Sequence, residues 1–219
     1  KRVVTAGLAD AEVSPESVRV GSDGRPVVRV DGRTFHLAAR GRHQAGNAMF
    51  AWAIARELGL DLDAVARALE AFDIPGGRGE LKQHGALTVL NDGYNANPQS
   101  FQSAIALAQA LRPGRRLVFV AGTMRELGEH ADALHAEVAG ALAAMEPELL
   151  ALVGEFVPAF APFRERYAGR LLEATDAEAM GPLLAPRLAG DELVVLKGSR
   201  GVALERILPF ILPPAATTA

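Results

Sequence analysis

The chain has 219 residues, and its content of 49% hydrophobic and 22% charged residues is typical of a globular protein that buries a core. Its formal net charge of -3 provides no broad basic field, so we expect neither nucleic acid nor an anionic membrane surface as a partner. The chain contains no cysteine, which excludes disulfides and thiolate chemistry and fits a cytoplasmic protein. No apolar run approaches the roughly 18 to 20 residues of a membrane span, so no membrane insertion is expected. Because the first residue is not methionine, we expect the chain to be part of a longer protein.

The first 75 residues predict three strands followed by two helices. The strands are expected at residues 18–20, 27–30 and 34–37. Asp31-Gly32 between the last two is a strong signal for a tight hairpin. A helix is expected over residues 46–58, with Gly59 as its stop, and a second over residues 62–72, with Asp61 as its N-cap. The second helix places its apolar residues along one face: Leu62, Val65, Ala66, Leu69 and Phe72.

Residues 74–79 (Ile-Pro-Gly-Gly-Arg-Gly) interrupt all periodicity and are typical of a link between two domains. Beyond them, short apolar strands alternate with helical segments. The strands are predicted at residues 87–90, 117–121, 149–153 and 193–196, and the helices at about 98–112, 130–144, 156–168, 176–188 and 201–211. This alternation predicts an α/β fold with a mostly parallel sheet and helices on its faces. Residues 213–219 should be frayed.

Three strand exits carry the polar residues of this second part. They are residues 91–98, 122–128 and 197–201. In an open α/β sheet such exits line one edge, where ligands bind. Lys197 and Arg200 suit a carboxylate or phosphate, Ser199 and glycine amides at a helix start can donate hydrogen bonds, and Asp92 can accept them. The alternative is that these exits are ordinary turns and strand caps with solvated charges.

Other residues in these exits favour a structural interpretation. Glu126 is more simply a solvated carboxylate at a helix start, and His135 a helix-surface imidazole, than a catalytic pair. The five histidines are scattered, without metal-ligand spacing. The chain also lacks a P-loop, a G-x-G-x-x-G loop after a strand, and a G-x-S-x-G nucleophile elbow.

Five segments taken together are more specific than any of them alone. In order, they are residues 41–48, Gly77-Arg78, residues 92–98, residues 122–128 with His135, and residues 197–200 with Glu205. This series resembles the Mur ligases, most closely the branch that adds D-alanyl-D-alanine to UDP-N-acetylmuramoyl-tripeptide. Tyr-Asn-Ala-Asn-Pro at residues 94–98 and Lys-Gly-Ser-Arg at residues 197–200 distinguish that branch. The resemblance covers about residues 1 to 211.

The resemblance implies an ATP-dependent, ADP-forming ligase of three domains that works in peptidoglycan synthesis and cell-wall biogenesis. Residues 1–75 correspond to the end of the central ATP-binding domain, and residues 76–219 to a Rossmann-like carboxy-terminal domain. The family's P-loop and its ligands for Mg²⁺ belong to sequence upstream of Lys1, so no metal site is expected in this chain and the chain alone should be inactive. A cytoplasmic monomer is expected.

The resemblance also implies roles for individual residues. Arg78 is the catalytic residue, reaching the phosphates from the interdomain link as a planar guanidinium clamp. The residues implied to bind ATP are His43, Gln44, Asn47, Arg78, Asp92 and Asn95. The residues implied to bind the dipeptide are Tyr94, Asn97, Lys197, Ser199 and Arg200.

Two residues depart from the family pattern. Gln44 stands where Asn is usual and must place its hydrogen bonds differently, and Thr123 replaces an acidic residue, so the charge that the acid supplies at position 123 is lost. Two alternatives therefore stand beside the D-alanyl-D-alanine ligase. One is a related amide ligase, either another Mur enzyme or a folylpolyglutamate synthase. The other is a noncatalytic binding module.

Overall fold

A computed structural model describes residues 2–72 and 76–212. The chain divides into two compact units, one ending at residue 75 and the other beginning at residue 76, and each has its own hydrophobic core. Ile74 and Pro75 of the expected interdomain link lie outside the described residues, as does the expected frayed tail at residues 213–219. Within the described ranges, no helix combines the length and the apolar character that crossing a bilayer requires.

The first unit is a three-stranded antiparallel sheet followed by two helices. Its elements are β1 (Ser17–Val20), β2 (Pro26–Val30), β3 (Arg33–His36), α1 (His43–Glu57) and α2 (Leu62–Ala71). The predicted hairpin is confirmed, because Val30 pairs with Arg33 across a two-residue turn. Asp31 and Gly32 both have positive φ, at 47° and 72°, as the favoured two-residue turn requires.

Aromatic stacking and one buried donor organise the core of this unit. Phe35 of β3 stacks on Trp52 of α1 with ring centroids 5.3 Å apart, and Trp52 Nε1 donates to Asp31 Oδ2 at 2.9 Å. Asp31 of the hairpin turn therefore also provides the hydrogen-bond acceptor for the indole N–H of the buried Trp52. The face predicted for α2 is confirmed except at Phe72, which follows the helix as its C-cap in extended conformation and is 59% exposed.

The second unit is built on a six-stranded sheet with the order β4-β5-β9-β6-β7-β8. Its strands are β4 (Glu80–His84), β5 (Leu87–Asp92), β6 (Leu117–Gly122), β7 (Leu149–Val153), β8 (Leu171–Ala174) and β9 (Leu193–Lys197). All neighbours pair in parallel except β4, which is antiparallel to β5. The α/β fold with a mostly parallel sheet is thus confirmed.

The two outer strands were not predicted. β4 and β8 contain partly exposed and charged residues such as Glu80, Lys82 and Glu173. Edge strands are paired on one side only and are less buried, so they lack the continuous apolar run that marked the four inner strands.

Helices cover both faces of the sheet. They are α3 (Pro98–Leu111), α4 (Ala131–Met145), α5 (Phe156–Ala159), α6 (Ala177–Leu184) and α7 (Leu208–Ile211). Residues of α3, α4 and α5 pack in the core on one face, and residues of α6 and α7 in the core on the other. Asn97 caps α3 through a reciprocal capping box with Ser100, and Pro98 opens the helix as predicted.

Two segments that were predicted as single long helices are interrupted in the structure, so these predictions are wrong. The stretch 156–168 is α5 followed by two 3₁₀ turns, Ala161–Phe163 and Glu165–Tyr167, because Pro158 and Pro162 lack the N–H groups of a regular helix. The stretch 201–211 is interrupted by Ala203, whose φ of 54° lies in the left-handed region. Lys197 and Ser199 therefore precede a 3₁₀ turn and not a helix start.

Candidate functional site at the carboxyl edge of the sheet

The three polar strand exits are neighbours in space because β9 lies between β5 and β6. Two glycines allow the β6 and β9 exits to approach closely. A Cβ on Gly198 would lie 3.2 Å from the Cα of Gly122, and a Cβ on Gly122 would lie 3.0 Å from Val202 Cγ1. A side chain at either position would make contacts tighter than ordinary packing, so the neighbouring groups would have to move. The predicted convergence of these exits is thus confirmed.

Lys197, the last residue of β9, binds the exit of β5. Its side chain is 2% exposed, and its Nζ lies 2.7 Å from Asp92 Oδ2. The same Nζ donates to the carbonyl oxygens of Asp92 at 3.3 Å and Asn95 at 2.8 Å. The ammonium is therefore compensated by one carboxylate and two carbonyl dipoles.

Ser199 binds the exit of β6 on the other side. Its Oγ accepts from the N–H of Arg125 at 2.8 Å, and its own N–H donates to the carbonyl oxygen of Thr123 at 3.1 Å. Thr123 Oγ1 in turn accepts from the N–H of Glu155 at 2.9 Å. Thr123 thus links the β6 exit to the segment after β7.

His135 of α4 also binds the β6 exit. The imidazole is 2% exposed, so its interpretation as a helix-surface residue is wrong. Its Nε2 accepts from the N–H of Met124 at 2.9 Å, which requires a proton on Nδ1, and Nδ1 lies 2.8 Å from the carbonyl oxygen of Ala131. The ring also packs edge-on against Phe156. Glu126, by contrast, is exposed as expected, with a positive φ of 65°.

Tyr94 brings two arginines together at the β5 exit. The guanidinium carbon of Arg78 lies 4.0 Å from the centre of the Tyr94 ring, and that of Arg200 lies 5.2 Å from it. The guanidinium group of Arg78, and to a lesser extent that of Arg200, lies close enough to favour the phenolate and lowers the pKa of Tyr94 below its usual value of 10.0. These contacts concentrate positive charge around one partly exposed ring.

A cavity of about 260 Å³ adjoins this cluster. Its lining residues are Gly76, Gly77, Glu80, Asn91, Gly93, Tyr94, Arg200 and Glu205. Asn91 is 6% exposed and accepts from the N–H of Gly93 at 3.3 Å. The cavity therefore combines cationic, anionic and amide groups, which suits a polar ligand that carries both charges.

The side chains of two asparagines in the β5 exit accept hydrogen bonds from backbone N–H groups close by in the chain. Asn95 Oδ1 accepts from the N–H of Ala96 at 2.8 Å, and Asn97 Oδ1 accepts from the N–H of Ser100 at 2.8 Å. Asn97 is thus the N-cap of α3, and its side-chain oxygen is already occupied in this conformation.

The remaining residues implied to bind ATP lie in the first unit. His43 opens α1, and its ring packs against Gly41, where a Cβ would lie 2.6 Å from His43 Cε1. Gln44 and Asn47 lie one helical turn apart on α1, and Asn47 Nδ2 donates a hydrogen bond to Gln44 Oε1 at 3.0 Å. Both amides lie at an accessible surface of α1, where an amide can pair with a purine edge.

Sequence reasoning missed several residues of this edge. Glu80 belongs to the unpredicted edge strand, and Asn91 was considered only as part of the polar run after β5. Arg125 was quoted within the β6 exit but received no role, although its guanidinium lies where a Cβ on Gly201 would meet Nη1 at 2.3 Å. Arg125, Arg78 and Arg200 form no ion pair with any residue in the described ranges. A positive residue three positions after the end of a buried strand is the signal that identifies Arg125.

No metal site is proposed in this chain. Within residues 2–72 and 76–212, no group of three or more His, Asp or Glu side chains is arranged to hold a metal ion. The charged groups at the carboxyl edge that suit an anion are arginines, because a guanidinium donates hydrogen bonds to carboxylate or phosphate oxygens directly.

Comparison with known proteins decides the family. The family model described as "Mur ligase, glutamate ligase domain" matches residues 77–200, which include the β5 and β6 exits and residues 197–200 of the β9 exit. The chain belongs to the Mur ligase family. A UDP-N-acetylmuramoyl-tripeptide--D-alanyl-D-alanine ligase of Treponema pallidum is 32% identical over 96% of this chain and 46% of its own length. The enzyme of the same name from Bacillus subtilis is 28% identical over 82% of this chain and 40% of its own length.

Solved structures of Mur ligases share the fold. MurF from Acinetobacter baumannii superposes with a TM-score of 0.79 at 22% identity, over 92% of this chain and 45% of its own. MurF from Thermotoga maritima, solved in complex with ADP, gives a TM-score of 0.75 at 21% identity, over 95% of this chain and 48% of its own. The chain spans about half the length of the curated relatives and structures that it matches.

Proposed function

We propose that this chain forms the carboxy-terminal portion of an ATP-dependent ligase that joins D-alanyl-D-alanine to UDP-N-acetylmuramoyl-tripeptide in peptidoglycan precursor synthesis. Support comes from the two D-alanyl-D-alanine ligases, which match most of this chain at about 30% identity. The proposed enzyme is a cytoplasmic monomer that uses ATP with Mg²⁺ and forms ADP. Residues 1–75 are proposed as the end of its central ATP-binding domain, and residues 76–219 as its carboxy-terminal domain.

The observation that carries the proposal is the cationic cluster around Tyr94. Arg78 and Arg200 lie on one aromatic ring beside a polar cavity, and no described carboxylate neutralises either of them through an ion pair. Such arginines have a high affinity for anionic groups, since a planar guanidinium donates two parallel hydrogen bonds to a carboxylate or phosphate. The proposed reaction requires both groups.

In the proposed reaction, ATP phosphorylates the carboxylate of the tripeptide, and the amine of the dipeptide then displaces phosphate to form the new amide bond. Arg78 neutralises the phosphate charge, and it is the residue of this chain to which we assign a catalytic role. His43, Gln44, Asn47, Asp92 and Asn95 are proposed to contribute to ATP binding. The amides of Gln44 and Asn47 fit this role, because they can read the edge of a purine.

The dipeptide is zwitterionic, with an amine at one end and a carboxylate at the other. Tyr94, Asn97, Lys197, Ser199 and Arg200 are proposed as its site. Arg200 suits the carboxylate end, and Glu80 and Glu205 of the same cavity suit an amine. A cavity with both signs of charge favours such a ligand over a purely anionic one.

The test is phosphate release from ATP by the protein that contains this chain in its natural full length. UDP-N-acetylmuramoyl-tripeptide is supplied in every assay, and D-alanyl-D-alanine is either added or withheld. We expect phosphate release to depend on the dipeptide, together with formation of the pentapeptide product. A preference for a single amino acid would instead assign the chain to a sister ligase, such as another Mur enzyme or a folylpolyglutamate synthase. No release with any acceptor would favour a noncatalytic binding module.

A further inference from the structure

The side chain of Lys197 is the most deeply buried cation of the second unit, at 2% exposure. A charged amine leaves water only where acceptors replace its hydration shell. Here the acceptors are the carboxylate of Asp92 and the carbonyl oxygens of Asp92 and Asn95, all within 3.3 Å of Nζ.

These contacts enclose the ammonium, which donates hydrogen bonds to two carbonyl oxygens and forms an ion pair with the carboxylate of Asp92. A lysine ammonium has three N–H donors and no acceptor, and Nζ has three acceptor oxygens around it. A substrate carboxylate would have to displace one of them inside a nearly closed site. That exchange is unfavourable, because it would leave the displaced oxygen without its donor.

All three acceptor oxygens belong to one short segment of the chain, the turn at residues 92–95. The two carbonyl oxygens belong to Asp92 and Asn95, and they bracket Gly93 and Tyr94. Lys197 therefore closes both ends of a four-residue turn onto the end of β9. The side chain that emerges from this turn is Tyr94, the ring on which Arg78 and Arg200 lie.

We propose that Lys197 is a positioning residue that holds the turn 92–95, and through it Tyr94, against the two arginines, and that it does not bind the dipeptide itself. This assignment revises one residue of the proposed dipeptide site. Its kinetic consequences rest on the proposed ligase function, but its structural consequence does not.

Tyrosine ionisation tests the structural consequence without any substrate. The chain has two tyrosines. The nearby guanidinium groups of Arg78 and Arg200 lower the pKa of Tyr94, whereas burial raises the pKa of Tyr167. An ultraviolet-difference titration of phenolate absorption in the chain described here should therefore show two separate phases. The variant Tyr94→Phe identifies the earlier phase by removing it.

The decisive variant is Lys197→Arg, because it keeps the positive charge beside Asp92. A planar guanidinium cannot reproduce the three-way contact of an ammonium in the same closed space, so the turn is expected to shift. We expect the Tyr94 phase to move to higher pH as the ring leaves the two arginines, because the phenolate loses the nearby positive charges. Lys82→Arg is the matched control, because it makes the same change at a partly exposed position of β4 and keeps the positive charge beside Glu80, so it should leave the Tyr94 phase in place.

A second variant keeps the test usable if Lys197→Arg does not fold. Lys197→Met combined with Asp92→Asn removes both charges of the buried pair together, and an upward shift of the Tyr94 phase is again expected. Cooperative thermal melting is required of whichever variant is titrated. An unchanged Tyr94 phase in a folded variant would overturn the proposal.

Kinetics of the full-length protein add a second readout. If Lys197 bound the dipeptide carboxylate, Lys197→Arg would keep that contact, and Lys197→Met would raise the KM for the dipeptide while leaving kcat nearly unchanged. For a positioning residue we expect both variants to lower kcat by about tenfold or more, because the arginines act through a correctly placed ring. A rise in dipeptide KM confined to Lys197→Met would overturn the proposal. Absence of ligase activity in the wild type would refute the proposed function and leave the titration result valid.

Discussion

Arginines lie at both ends of the parallel strands, which we call the amino edge, where the strands begin, and the carboxyl edge, where they end. The arginines of the two edges differ in their partners. At the amino edge, Arg112 pairs with Glu148 at 2.7 Å and Arg116 pairs with Glu192 at 3.1 Å. At the carboxyl edge, Arg78 and Arg200 lie on Tyr94 with no ion pair to any described residue. Charges that are neutralised within the fold stabilise it, whereas cations without a carboxylate partner remain available for an anionic ligand.

The carboxylates of the amino edge also serve the backbone. Glu192 is completely buried and accepts from the N–H groups of Ala189, Gly190 and Asp191 as well as from Arg116. It thus completes the hydrogen bonds of the turn that leads into β9. Substitutions at the amino edge should change stability, and substitutions at the carboxyl edge should change chemistry.

The largest effect is expected for Arg78→Ala. Removing this guanidinium from the full-length enzyme should lower kcat/KM by about 10²- to 10³-fold, because the developing phosphate charge loses its partner. Steady-state phosphate release measures the change. Arg19→Ala, at an exposed position of β1, is the control and should be close to wild type. A loss below fivefold would remove Arg78 from the catalytic role.

Glu192→Ala should have the largest effect on folding. Three backbone N–H groups and one arginine lose their acceptor, at an expected cost of about 2 to 4 kcal/mol in the free energy of unfolding. Urea denaturation followed by circular dichroism measures it. Asp191→Ala removes the neighbouring exposed carboxylate and should change the free energy of unfolding by less than about 0.5 kcal/mol. Equal effects of the two variants would contradict the distinction between the edges.

Arg200→Gln should affect binding more than folding. We expect the KM for D-alanyl-D-alanine to rise by about tenfold, which corresponds to one lost charge-assisted hydrogen bond of about 1.4 kcal/mol. Arg206→Gln is the control, because Arg206 pairs with the exposed Glu178 and such surface pairs contribute little. Matching KM values for the two variants would argue against a dipeptide contact at Arg200.

Acid should destabilise the amino edge through Glu148. Burial raises its pKa, but the N–H of Leu117 and the guanidinium of Arg112 outweigh burial and hold the pKa below the usual 4.5. Its stabilising contribution is therefore present above about pH 4.5 and is lost as the pH falls through the lowered value in the folded protein. Urea midpoints of the wild type and of Glu148→Gln should differ at neutral pH and converge in acid. The exposed Glu137→Gln should track the wild type, and a gap that stays constant with pH would refute the prediction.

The smallest effect is expected for Glu126→Gly. Glu126 has a φ of 65°, in the left-handed region where a side chain is strained and glycine is not. The substitution should change the free energy of unfolding by no more than about 1 kcal/mol, in the stabilising direction if relief of strain exceeds the entropy gained by the unfolded chain. Chemical denaturation measures the sign. Glu129→Gly nearby, at a residue without positive φ, should be destabilising.

The inner strands and the main helices could be predicted because their signals are local. β5, β6, β7 and β9 are continuous apolar runs, and α3 carries both its proline and its capping asparagine in the sequence. The edge strands β4 and β8 escaped prediction since pairing on one side leaves them partly polar. The convergence of the three exits also followed from the sequence, through the general rule for open parallel sheets.

Within the site, the sequence determined residue types and their order along the chain, and with them the Mur ligase family. Only the tertiary structure decided which of these residues touch each other. Lys197 and Ser199 are two positions apart, but the strand order directs one to the β5 exit and the other to the β6 exit. His135 is buried because α4 packs against the sheet beside Phe156. Burial and hydrogen-bond partners depend on segments far apart in the chain, so no local pattern could reveal that Lys197 is enclosed by acceptors while Arg78 and Arg200 form no ion pair with any described residue.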